Sequence, residues 1–345
     1  MLDTSIDGSF HRHADQRSLH LAIARAKTEQ SVARRLRRVP GVAQVKSVRW
    51  ERVYGFDHHD QRVEMPPRAY MIMTLYARHT LRACARRPTL AHCPDDVVDQ
   101  AECSSYYVER ARRAQLWIFA MVCTLAGVHA RGILSRDPKL GTALRGLRTS
   151  DCCSENWLMQ RSRSGIETPV LTDFGFGGTP QQCQLLPIAG CVSTRVTRLS
   201  NSNMPCMPPE TWSFKQPHNA TFEADVFALG CVAYHILVGD YVPWHTSPLG
   251  QHERDPRLNG KANPTIVKFT LAQLQHSRVG AAGQALLHKM LEPDPARRPS
   301  LAALLKTDEY LRDAAAEAQL IHHRTDAEHL TKTDSALTET ARLRP

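Results

Sequence analysis

The chain has 345 residues, a formal net charge of +10, 42% hydrophobic and 23% charged residues. This excludes a chain too polar to bury a core, and the length allows one large domain or two small ones. The longest apolar run, Leu116 to Cys123 with its extension to Val128, is shorter than the roughly 20 residues that cross a bilayer, and the first 18 residues lack an apolar signal core. No membrane span is expected, and the expected location is intracellular, in the cytoplasm or nucleus.

Residues 17–39 read as a helix with Leu21, Val32 and Leu36 among its apolar positions, stopped by Pro40-Gly41. Val42 to Tyr54 and Ala69 to Tyr76 carry strand character, with Pro66-Pro67 expected as a break between them. Val97 to Gly132 contains a long, partly buried helix. "PVLTDF" is strand-like. Glu223 to Gly239 is apolar almost all round, the pattern of a central buried helix. "AAGQALLHKMLEPD" is amphipathic, and Ser300 caps the helix that follows. Beyond Leu311 the chain reads as a polar tail with one more helix.

Ten cysteines stand at irregular spacings with no CxxC, so a reduced protein without a zinc site is expected. The positive charge favours acidic partners: nucleic acid, an anionic membrane, or acidic and phosphorylated proteins. Its clusters, "ARRLRR" (33–38) and "ERARRAQ" (109–115), read as solvated helix faces. No zinc-finger or RNA-binding signature accompanies them, so nucleic acid is not expected as a partner.

The sharpest motif is "LTDFGFGG", Leu171 to Gly178. An Asp at a strand end with glycine behind it puts a hard carboxylate on a mobile loop, where it can meet Mg²⁺. Upstream stands Arg136-Asp137 after "VHARGIL". Downstream stand "MPPE" (207–210), "EADVFALGCVAYHILVGDYVPW" and "LLHKMLEPDPARRPS" (286–300). Five signals in this order resemble the protein kinase family over roughly Arg17 to Leu311.

The resemblance implies an α+β, bilobal protein-kinase-like fold, with a small incomplete β-rich N-terminal lobe and a larger, mainly helical C-terminal lobe. The boundaries would be 1–76 for a partial N-lobe, 77–312 for the C-lobe and 313–345 for a polar helical tail. It implies a protein serine/threonine kinase using ATP and Mg²⁺ on a protein substrate. Asp137 would orient the substrate hydroxyl proton and Lys139 would contact the transferring phosphate. Asp173 would hold the metal. The second metal ligand would be Asn156, with about 140–153 an insertion in the loop, or else Thr142, five residues after Asp137. Met73 would be the gatekeeper, with the backbone of Leu75 and Tyr76 facing adenine. Glu210 would pair with Arg298, and Asp225 would anchor the catalytic loop. Phe174 and Gly175 complete the metal loop, and Ser135 stands where the family has His.

Gly177 to Met207 would be the activation segment, with Arg136 available to a phosphate on it. Glu29 matches the helix glutamate of the family. Its lysine partner and the Gly-rich loop are not recognisable, since Lys27 lies two residues away on the same helix. A second reading therefore stays open: a catalytically impaired pseudokinase that acts as a scaffold or allosteric partner.

Overall fold

The structure is a computed structural model that describes residues 16–56, 62–74, 100–136, 156–161, 167–175, 177–185, 208–211, 221–239, 242, 264–277 and 279–321. Helix α1 (Gln16–Arg35) leads to the antiparallel hairpin of β1 (Val45–Phe56) and β2 (Arg62–Met73). Then come α2 (Gln100–His129), the hairpin of β3 (Trp157–Arg161) and β4 (Glu167–Leu171), and the short α3 (Pro180–Leu185). Helices α4 (Phe222–Val238), α5 (Pro264–Gln273), α6 (Ala281–Met290), α7 (Leu301–Thr307) and α8 (309–321) follow. A small sheet-containing region thus precedes a mainly helical one, the expected α+β, two-lobed arrangement.

The strand β2 runs through Pro66-Pro67 rather than starting after it. Proline cannot donate to a ladder, and the register explains how it is tolerated. Pairing slips between Glu51↔Arg68 and Val53↔Met65, so Arg52 alone faces both prolines. The irregularity absorbs the two missing donors.

The core is built around α4 and α2. Residues Asp225 to Leu237 of α4 are all buried. Thr221 caps its start by accepting from Ala224 N, and Gly239 ends it at φ 86°, a conformation that glycine adopts without a Cβ penalty. On α2, Ala114, Trp117, Ile118, Met121, Val122, Leu125 and Val128 recur at helical spacing and are buried. Helix α8 crosses residue 313, where a tail was expected to begin, and its Leu311 and Ala314 are fully buried.

The segment after α1 stitches the two regions together. Leu171 N donates to Gly41 O at 2.7 Å, and Ala43 N donates to Leu171 O at 2.8 Å. Val39 packs on Gly127 of α2, and Gly41 (φ 75°) lies directly on Thr124. A Cβ at Gly41 would overlap the Thr124 hydroxyl, whereas one at Gly132 (φ 67°) would meet nothing within 4 Å. Gly132→Ala should therefore cost only the left-handed backbone, about 1–2 kcal/mol. Gly41→Ala should cost clearly more, and urea denaturation of the two variants reads the difference.

Candidate active site

A carboxylate at the start of α4 organises the site. Asp225 is 1% exposed. Its Oδ2 accepts from Ser135 N at 2.7 Å and its Oδ1 accepts from Arg136 N at 2.7 Å. His129 Nε2, in the last turn of α2, lies 3.0 Å from Oδ2, and its ring packs on Phe222 with centroids 4.8 Å apart. A buried carboxylate is costly unless its lone pairs are met, and here two amides and an imidazole meet them. Arg136 has φ 60°, a left-handed conformation costly for a residue with a side chain, and the bond from its N to Asp225 helps hold it there.

The chain before Asp225's partners is tied to the chain after the Asp-Phe-Gly loop. Leu134 N donates to Gly178 O at 2.8 Å, and Gly178 N donates to Leu134 O at 3.1 Å. Phe174 is buried, and Gly177 N donates to its carbonyl. Asp173 also has a left-handed backbone, φ 62°, and its Oδ1 accepts from Gly175 N at 3.0 Å. That local bond is what lets an aspartate hold this conformation. Thr172 N donates to Asn156 O at 2.8 Å, so Asn156 and Asp173 stand at neighbouring ends of β3 and β4. The Thr172 hydroxyl points to Met73 Sδ, 4.0 Å away, which brings the end of β2 to the same place.

Glu29 reaches this loop from α1. A Cβ on Gly175 would lie 3.2 Å from Asp173 Oδ1 and 3.7 Å from Glu29 Oε2. Burial, and then the neighbouring Asp173 charge, push the Glu29 carboxyl up to about 7, against a bond from the Phe174 backbone that acts the other way. No salt bridge engages Glu29 among the described residues, and Lys27 is exposed.

A second buried ion pair closes the far side of α4. Arg298, with its side chain fully buried, donates to Glu210 Oε1 at 3.0 Å and Oε2 at 3.2 Å. It also donates to the carbonyls of Glu223, Glu292 and Pro293, and its guanidinium lies 5.0 Å from the centre of the Phe227 ring. One planar fork thus joins the 209–211 turn, the start of α4 and the loop before α7.

The structure therefore brings Glu29, Met73, Asn156, Asp173, Phe174 and Gly175 together around one loop. Arg136 is joined to Asp225, and Glu210 to Arg298. Asp137, Lys139, Thr142, Leu75, Tyr76 and the 140–153 segment lie outside the described residues. Arg136 Nη1 donates to Cys183 O at 3.3 Å, at the end of α3 in the expected activation segment. Sequence reasoning missed His129. The available signal was a single polar ring in the last turn of α2, directly after its apolar stretch from Leu116 to Val128. Ser135 is fully buried, and its hydroxyl has no hydrogen-bond partner among the described residues. The described residues hold no group of three or more His, Cys, Asp or Glu that would suit a tightly caged metal. One carboxylate and one amide oxygen suit Mg²⁺, which takes few protein ligands and shares itself with phosphates.

The protein kinase domain family matches residues 63–311. The human serine/threonine-protein kinase/endoribonuclease IRE2 is 28% identical over 184 residues, 52% of this chain and 16% of that protein. The mouse inactive serine/threonine-protein kinase PLK5 is 31% identical over 86 residues, 25% of this chain and 12% of that protein. Germinal center kinase 3 of Caenorhabditis elegans is 28% identical over 145 residues, 40% of this chain and 22% of that protein. The matches span less than a quarter of each relative. Glu29 precedes the family match, so only the geometry above connects it to the loop.

Removing Arg298 with an alanine should cost about 3–5 kcal/mol, because Glu210 and three carbonyls lose their donor together. Thermal unfolding checks this. The Glu29 shift has a definite sign. A carboxyl raised from 4.5 to about 7 favours the protonated fold, so its stabilisation is complete below pH 4.5 and is lost as pH rises through 7. Glu29→Gln, neutral throughout, should match the parent in acid and exceed its stability above pH 7, by on the order of 2 kcal/mol. Urea titrations in metal-free buffer across that range read it.

Proposed function

This chain belongs to the protein kinase family, and from that premise we propose that it transfers the γ-phosphate of ATP to serine or threonine hydroxyls of a protein. The observation that carries the reading is the double amide clasp of Asp225 on Ser135 and Arg136. That clasp fixes the backbone immediately before Asp137, the residue proposed to receive the substrate proton. Asn156 and Asp173 would hold Mg²⁺, which supplies charge neutralisation at the phosphates. The substrate oxygen bonds to the γ-phosphorus as the bond to the β-phosphate oxygen breaks, and the proton passes to Asp137. Lys139 would steady the moving phosphoryl group. Met73, with the backbone of Leu75 and Tyr76, would line the adenine side.

One observation favours the second reading, a pseudokinase scaffold. Glu29 faces Asp173 with no cation between them among the described residues, where the family places a lysine-bound glutamate. Two carboxyls at this spot repel the phosphates that a lysine would attract.

The two readings separate in one pair of assays. Under the kinase reading, millimolar Mg²⁺-ATP raises the melting temperature, and binding at 100 times Kd adds about 2.7 kcal/mol. Labelled phosphate then enters protein, and Asp173→Ala reduces incorporation at least about a hundredfold. No thermal shift and no incorporation by the full-length protein support the scaffold instead.

A further inference from the structure

The segment Ala33 to Tyr54 carries seven basic residues and one acid, Glu51. Its net +6 is more than half of the whole chain's +10, in 22 of 345 residues. All seven, Arg34, Arg35, Arg37, Arg38, Lys46, Arg49 and Arg52, are exposed. Sequence alone presents Arg34 to Arg38 as an ordinary solvated helix face. The structure sets them at the last turn of α1 and just beyond it, beside the start of β1. Arg38 N donates to Gln44 Oε1 at 3.2 Å, so the basic turn closes onto the residue before the strand. Arg34, Arg37, Arg38, Lys46 and Arg49 make no salt bridge among the described residues. Arg35 is spent locally, donating to Arg131 O at 2.8 Å.

The strand adds a different chemistry. Trp50 and Tyr54 are 38% and 45% exposed, two of the four large hydrophobics exposed among the described residues. Side chains two apart on a strand share a face, so Trp50, Arg52 and Tyr54 lie along one side of β1. The irregularity opposite Arg52 adds its extra residue to β2, which keeps the β1 alternation intact.

We propose that the Arg34–Arg38 turn and the Trp50–Arg52–Tyr54 side of β1 act together to bind single-stranded nucleic acid. Arginines in a turn take phosphates through paired N–H donors, and exposed rings on a rigid strand stack unpaired bases. An acidic or phosphorylated peptide would use the charges and leave both rings idle. Trp50 and Tyr54 would also suit a bilayer interface, but the segment's aliphatic Leu36, Val39 and Val42 are inside the core and add no apolar area beside them. The inference stands apart from phosphotransfer, since none of these residues belongs to the Asp173 site.

Anisotropy of a labelled oligouridine of about 20 nucleotides, titrated with the full chain between about 50 and 200 mM salt, tests the proposal. The parent should bind with log K falling linearly in log salt. The double variant Trp50→Ala/Tyr54→Ala should bind about tenfold or more weakly with the same slope. The triple variant Arg34→Gln/Arg37→Gln/Arg38→Gln should flatten the slope by about 2, near 0.7 per lost phosphate contact. Trp50→Phe keeps a ring and should bind within about threefold of the parent, which guards against a folding artefact. A duplex of the same length should bind more weakly, because its bases are already stacked. Absent binding at physiological salt, equal binding by the ring variant, or ring-dependent binding to phosphatidylserine vesicles in place of the oligonucleotide would each overturn it.

Discussion

The Asp225 carboxylate is the contact on which the site depends. It sits in the first turn of a helix whose following twelve residues are all buried, so its position is set by the best-packed element of the molecule. Two backbone amides from the chain after α2 converge on it, and His129 fills the remaining side. The rigid core therefore dictates where an irregular loop begins. That is how a fold keeps a reactive constellation in place while the loop itself retains the backbone strain seen at Arg136 and Asp173.

The rest of the large lobe supports α4 from outside. Arg298 donates five hydrogen bonds to three separate segments and lies against Phe227, two residues beyond Asp225. The small lobe is attached through Gly41, Ala43 and Leu171, one strand residue away from the Thr172-Asp173 step. Any movement of α1 is thus felt at the Asp173–Gly175 loop by two routes, the backbone stitch and the Glu29 carboxyl. Among the described residues no cation stands between Glu29 and Asp173, so the second route is repulsion between two carboxyls.

Much of this was legible in the sequence, for local reasons. Helix α4 declared itself by apolar residues on almost every face and a terminal glycine. Leu171 to Gly178 and the order of the distant motifs pointed to the family. Contacts between remote residues were harder to read. His129 and Asp225 are 96 positions apart, and nothing in either segment says that they touch. Pro66-Pro67 looked like a break because propensity counts missing donors, while the sheet had an irregularity to place them in. The run of α8 past residue 312 was harder to see, because the buried Ala314 is one small apolar residue in a polar stretch.

Asp225 acts as a doubly accepting anchor, and one measurement tests that directly. Asp225→Asn keeps size and shape but turns one acceptor into an NH₂ group facing a backbone N–H. Native-state hydrogen exchange should then show the amides of Ser135 and Arg136 exchanging at least about tenfold faster, while the α2 core from Ile118 to Leu125 keeps its protection. Unchanged exchange at Ser135 and Arg136 in the Asn variant would contradict this, and would mean that the loop is held by something other than the carboxylate.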